Sequence, residues 1–130
     1  MKSKVFIVFA MAASLLTAPR PIFAHHGTAG YDMTKTITLT GTVTEFDWSN
    51  PHCVIYMDVK GDNGEVKRWV LELAAPILMS RGGWTKNSLK PGDQIAVETH
   101  PSKNGAAVGT SGTAGFILKA VVNGTALPTR

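Results

Sequence analysis

From Thr36 to Glu45 the chain reads Thr-Ile-Thr-Leu-Thr-Gly-Thr-Val-Thr-Glu, an alternation of period two whose apolar residues a helix would scatter around its circumference. Ile37, Leu39 and Val43 fall on one face and Thr38, Thr40, Thr42 and Thr44 on the other, so this is a half-buried β-strand that needs partners to cover it. The phase then slips, because Phe46 and Trp48 are apolar at even positions, and Gly41 inside the run marks a bulge or strong bend. Ser49-Asn50-Pro51 punctuates the strand, and a second begins at His52 with Cys53, Ile55, Met57 and Val59 on its apolar face. Gly61-Asp62-Asn63-Gly64 is a hairpin turn built from residues that tolerate positive φ, and the third strand that follows keeps Trp69, Leu71 and Leu73 in phase.

Pro76 suits a first helical turn and Gly82 a helix stop, which predicts one short helix over 75–81. Pro91-Gly92 turns the chain into a fourth strand with Ile95, Val97 and Thr99 alternating. His100 to Gly105 reads as a loop, Gly105 to Gly115 as a low-complexity Gly/Ala/Ser/Thr loop, and Gly115 to Val122 as the last strand, closed by Asn123-Gly124. Three strands, a short helix and two strands predict an all-β fold, a small five-stranded, partly open OB-like barrel, with a two-sheet sandwich as the alternative. The expected core is Ile37, Leu39, Val43, Ile55, Met57, Val59, Trp69, Leu71, Leu73, Ile77, Leu78, Ile95, Val97, Phe116 and Leu118. Each contributes about 1.5–3 kcal/mol on burial before chain entropy is subtracted, so neither cofactor nor disulfide is needed to fold it.

A chain of 130 residues has room for one such domain. Its opening MKSKVFIVFAMAASLLTAPRPIFA has a basic start, an apolar run from Val5 to Ala18 and a helix-breaking Pro-Arg-Pro before Ala24, the pattern of a secretory signal peptide. Cleavage after Ala18 would leave Pro19 directly behind the cut, where its ring suits a peptidase badly, so the expected junction follows Ala24. The expected organisation is a signal peptide over 1–24, an N-terminal His-containing segment over 25–34 and a β-barrel domain over 35–130. The expected location is the periplasm or the exterior. The apolar run is shorter than the roughly 20 residues that span a bilayer, and the mature chain offers no other transmembrane segment.

Removing Lys2, Lys4 and Arg20 with the leader takes the 13 basic side chains to 10, against 9 acidic ones. The basic balance therefore belongs to the export signal, and no clustered cationic surface for nucleic acid is expected.

The His25-His26 pair behind a signal peptide, Leu-Thr-Gly-Thr-Val, Trp-Ser-Asn-Pro-His, Gly-Gly-Trp-Thr and Leu-Lys-Pro-Gly-Asp together resemble a group of small exported bacterial proteins catalogued as domain of unknown function 6152. The resemblance covers nearly all of the mature chain, with Gly27 departing from the usual Ser-like residue after the His pair. It implies an exported β-barrel and supplies no activity.

Function must then come from the residues. Cleavage after Ala24 gives His25 a free α-amine beside its imidazole, two nitrogens that chelate one ion, and His26 adds a second ring. Nitrogen-rich tetragonal sites favour Cu(II) or Ni(II), so copper is the expected cofactor if one is bound. His52 and His100, both outside the apolar faces, are candidates to complete the site; each also has a plain reading as a turn or loop histidine. Met33, Met57 and Cys53 are soft alternatives for Cu(I), but Met57 and Cys53 share the inward phase of their strand, which reads Cys53 as a buried filler rather than a reactive thiol. Trp48 and Trp84 are candidates for an aromatic ligand-binding surface.

There is no Gly-x-Ser-x-Gly elbow, no His-Glu-x-x-His and no phosphate loop, and one Cys cannot make Cys-x-x-Cys chemistry. The sequence favours a non-catalytic exported module that binds copper or another transition metal. Two alternatives stand beside it: an OB-type module that holds an envelope protein or small ligand, and a copper-dependent oxidoreductase. Oligomeric state is left open.

Overall fold

The computed structural model describes residues 27–111 and 119–128. Strands β1 (Ile37–Asp47), β2 (Val54–Lys60) and β3 (Val66–Glu72) form an antiparallel meander, α1 (Pro76–Arg81) follows, and then come β4 (Gln94–Pro101), β5 (Val108–Thr110), β6 (Ala120–Val122) and β7 (Thr125–Ala126). The strand order β1-β2-β3-β5-β4 returns to β1 because β1 pairs with both β2 and β4, which closes a five-stranded barrel with one helix between β3 and β4. This is the OB-type all-β fold expected from the element order, closed rather than partly open.

Closure depends on one long strand changing partners. β1 runs Ile37–Thr42 against β4 and Gly41–Asp47 against β2, and Gly41 sits opposite Ile95 on one side and Val59 on the other. A Cβ at Gly41 would run into the Asp58 carbonyl oxygen, with Asp58 C at 3.0 Å and Met57 Cε at 3.1 Å, so the strands approach where a side chain cannot fit. The phase slip is separate: register shifts between Val43 and Glu45, and Thr44 is the extra residue. Beyond it Phe46 pairs with the buried Ile55, turning the apolar face from odd to even positions.

Two expectations about the later strands are corrected. The fourth strand does not stop before His100; it continues through Pro101, where the ladder to β5 holds it. The strand that closes the barrel is Val108–Thr110, inside the stretch read as a low-complexity loop, pairing parallel with β3 and antiparallel with β4. Gly109 is what fits it there, since a Cβ would collide with Thr99 Oγ1 and meet Thr99 Cγ2 at 2.9 Å. The C-terminal strand lies outside that circuit: β6 pairs with β4 over Ile95–Val97 and turns at Asn123 (φ 48°) and Gly124 (φ 83°) into β7. Expected strand residues 115–118, with core candidates Phe116 and Leu118, lie outside the described residues.

The core comprises Leu39, Val43, Ile55, Met57, Leu71, Ile95, Val97, Ala120 and Val122 from the strands, together with Cys53, Leu73, Ala74, Met79, Trp84 and Leu89 from the segments between them. Ile37, Val59 and Trp69 are partly buried against it. Ile77 and Leu78 are corrected from core to surface, 60% and 37% exposed, because the short helix turns only Met79 inward. Gly82 caps that helix as expected, and Gly83 behind it takes the left-handed conformation (φ 91°). Among the described residues no helix is long and apolar enough to cross a membrane.

Candidate functional site

Alternation fixes which polar residues share a surface. Leu71 and Gly109 face the core, so Glu72, Thr110 and His100, joined in register across β3, β5 and β4, lie in one row on the opposite side of the sheet, with Thr110 itself buried and Val54 of β2 extending the row on the Glu72 side. His52, two residues before Val54, returns to this row through its side chain. Its Nδ1 lies 2.5 Å from Glu72 Oε1, with the two side chains 36% and 27% exposed. A carboxylate oxygen accepts, so Nδ1 donates, and in the neutral ring Nε2 then carries the lone pair.

His100 is oriented in a comparable way by a different partner. Its Nδ1 donates to the Lys35 carbonyl at 2.9 Å, which again leaves the lone pair on Nε2. The two histidines are not gathered at one point. His100 stands two strands from Glu72, about 10 Å at the spacing of a sheet. Among the described residues no three of His, Cys, Asp and Glu converge to hold a metal ion.

The segment leading into β1 docks at the same end of the barrel. Thr28–Gly30 makes a single 3-10 turn, Tyr31 bridges to Ser102, and the Asp32 amide donates to the Pro101 carbonyl at 2.8 Å. Lys103 clasps this segment twice: its amide donates to Gly30 O and its Nζ to Ala29 O, both at 2.9 Å. Tyr31 is half-buried, and that burial, with the Glu72 charge adding to it, pushes its phenol above its ordinary range. Sequence reasoning missed Tyr31 and the partnership of Glu72 with His52. Glu72 carried a faint signal, standing on the polar face of its strand beside a buried Leu71, but its pairing with His52 spans 20 positions of sequence.

The remaining candidates sort by burial. Cys53 and Met57 are fully buried, as the strand phase indicated, and burial with the nearby Asp47 charge pushes the Cys53 thiol up to about 11. Met79 is buried as well, so these three soft sulfur donors are sealed in the core. Trp84 is 3% exposed; its Nε1 donates to Pro128 O at 2.7 Å and its ring stands edge-on to Phe46. Trp48 is partly buried and also stands edge-on to Phe46, at a centroid distance of 5.7 Å. Both candidate tryptophans therefore pack against the partly buried Phe46, and the indole of Trp84 presents almost no surface to a ligand. His25 and His26, with the expected signal peptide, lie outside the described residues.

Comparison with known proteins adds little chemistry. The family described as "Family of unknown function (DUF6152)" matches residues 12–112. No curated protein matches the chain. Among solved structures, the mitochondrial single-stranded DNA binding protein Rim1 from S. cerevisiae is similar at 8% identity and a TM-score of 0.48, over 68% of this chain and 93% of that one.

Proposed function

The chain belongs to the DUF6152 family, and we propose that it is an exported, non-catalytic binding module for a transition metal ion, copper first, held through the mature N-terminus. The α-amine and ring of His25 and the ring of His26 supply nitrogen ligands, the set that favours Cu(II). The single observation that supports this reading is the double clasp of Lys103 on Ala29 and Gly30, within a few residues of the His pair. A ligand arm fixed to a rigid barrel loses less conformational freedom on metal binding than a free tail would. The burial of Cys53, Met57 and Met79 withholds three of the soft donors that Cu(I) prefers and leaves the half-buried Met33 as the remaining one among the described residues.

The test is metal binding by the processed protein. Protein beginning at His25 is expected to take one Cu(II), and a single additional Ala before His25 is expected to weaken binding at least tenfold by displacing the amine, read by competition with a chelator of known affinity. Equal binding by both forms would remove the amine from the site. An N-terminal mass showing export processing elsewhere would remove the arm. Copper-loaded protein given ascorbate and oxygen is expected to release no more peroxide than free copper; sustained turnover would shift the reading to an oxidoreductase.

A further inference from the structure

We infer that Asn104 is a self-modification site, where the backbone nitrogen of Gly105 displaces the side-chain amide, and that it reacts ahead of two other Asn-Gly pairs in the chain, Asn63-Gly64 and Asn123-Gly124. A glycine after asparagine leaves the attacking nitrogen unshielded by a Cβ, so sequence alone nominates all three. All six residues are exposed, so access to water does not separate them. Hydrogen bonding does.

The step needs a nitrogen free to attack, a carboxamide free to meet it, and donors for the oxygen on which negative charge develops. At Asn63 the nitrogen is engaged, because the Gly64 N–H donates to the Gly61 carbonyl at 2.9 Å. At Asn123 the carboxamide is pinned at both ends by another segment: its Oδ1 accepts the Gln94 N–H at 2.9 Å and its Nδ2 donates to Asp93 Oδ1 at 3.0 Å. Neither restraint exists at Asn104. Among the described residues the Gly105 N–H and Asn104 Nδ2 donate to no acceptor, while Asn104 Oδ1 accepts the Ala106 N–H at 3.0 Å and lies 2.9 Å from the Ser102 hydroxyl. That hydroxyl has one hydrogen and is also 2.9 Å from the Ala106 carbonyl, but this carbonyl already accepts the Val108 N–H at 2.8 Å. The Ser102 hydrogen is thus available to Asn104 Oδ1, giving it two donors where Asn63 Oδ1 has the Glu65 N–H.

The atoms balance with water as the co-reactant. Gly105 N bonds to Asn104 Cγ, the Cγ–Nδ2 bond breaks, and ammonia leaves with the Gly105 amide proton, closing a succinimide ring. Water then opens the ring at Cγ to give aspartate, or at the backbone carbonyl to give isoaspartate, which has one more carbon in the main chain. The same loop carries Lys103, whose amide and Nζ hold Gly30 O and Ala29 O, so the added carbon loosens the clasp on this segment.

The experiment holds the purified folded protein at pH 8 and follows each Asn-Gly site by peptide mapping, with electron-transfer fragmentation to separate aspartate from isoaspartate. Asn104 is expected to convert on the order of tenfold faster than Asn63 or Asn123, the worth of one or two hydrogen bonds. In guanidinium chloride the three rates are expected to converge, because only the fold separates them. Ser102→Ala is expected to slow conversion of Asn104 by about two- to tenfold. Hydrogen exchange at the Lys103 amide is expected to quicken in the isoaspartate fraction. Folded protein in which Asn63 or Asn123 converts as fast as Asn104, or in which Asn104 stays intact while it converts in denaturant, would overturn the inference. A Ser102→Ala rate at or above that of wild type would remove the hydroxyl from the site, and unchanged Lys103 exchange would remove the link to the clasp. The site comparison uses wild-type protein, so it holds even if Ser102→Ala folds poorly.

Discussion

Replacing Gly41 by Ala tests whether close strand approach, rather than turn flexibility, is what this glycine supplies. The added methyl carbon would overlap the Asp58 carbonyl oxygen and crowd Met57 Cε at 3.1 Å. The first of these neighbours is backbone, which no rotamer change can move, and Met57 is fully buried. Relief requires β1 to withdraw from β2 at the point where Gly41 is paired on both sides. Losing one or two ladder hydrogen bonds costs about 1–2 kcal/mol and repacking around Met57 about 1–3 more. The reduced freedom of the unfolded chain returns about 0.4–1 kcal/mol. The net destabilisation is about 3 kcal/mol, a large part of the ~5–15 kcal/mol a domain has, and corresponds to a melting-temperature drop on the order of 12–24 °C. Equilibrium urea unfolding followed by far-ultraviolet circular dichroism measures it. Gly30→Ala is the control, because its Cβ would meet nothing within 4 Å and its backbone is not left-handed; it is expected to stay within about 0.5 kcal/mol of wild type. Wild-type-like stability of Gly41→Ala, within about 1 kcal/mol, would refute the reasoning.

Three further outcomes are expected. The Asp93 carboxyl is held below the usual carboxylate range, first by the Asn123 side-chain amide and then by the Lys90 N–H. A depressed folded pKa contributes stability that is present above the unfolded value near 4 and lost as pH falls through the folded one, so Asp93→Asn should be less stable than wild type at pH 7, with the gap closing toward pH 3 in urea titrations at both pH values. Cys53, fully buried with its thiol pushed up to about 11, should resist a disulfide reagent at pH 8 in the native protein and react fully in denaturant; rapid native labelling would contradict its burial. Trp84→Phe removes the donor to Pro128 O and should cost about 1–2 kcal/mol in thermal or urea unfolding. A chain ending before Pro128 should make the same substitution nearly neutral, since the hydrogen bond is then already absent.

Much of the barrel could be read locally. The period-two faces of β1 to β4, the Gly61–Gly64 hairpin, the helix stop at Gly82 and the inward phase of Cys53 and Met57 each depend on a side chain's relation to its own backbone, so neighbours in sequence suffice to specify them. The outer-surface position of His52 and His100 followed from the same alternation.

Closure and the candidate site depended on pairings distant in sequence. Val108–Thr110 has only three residues and no usable period, and it is a strand because β3 and β4 both have edges to fill beside it. The exposure of Ile77 and Leu78 was decided by the direction in which so short a helix settles on the core, which its composition does not encode. Chain order could nominate His52 and His100 as histidines off the apolar faces, but it weighted them equally. Register across three strands separated them, setting one against Glu72 and leaving the other on the Lys35 carbonyl. Residue identity and spacing thus determined which groups could do chemistry, because those are properties of the covalent chain. Folding alone decided which of them became neighbours, because long-range strand pairing is specified by the joint packing of the whole barrel.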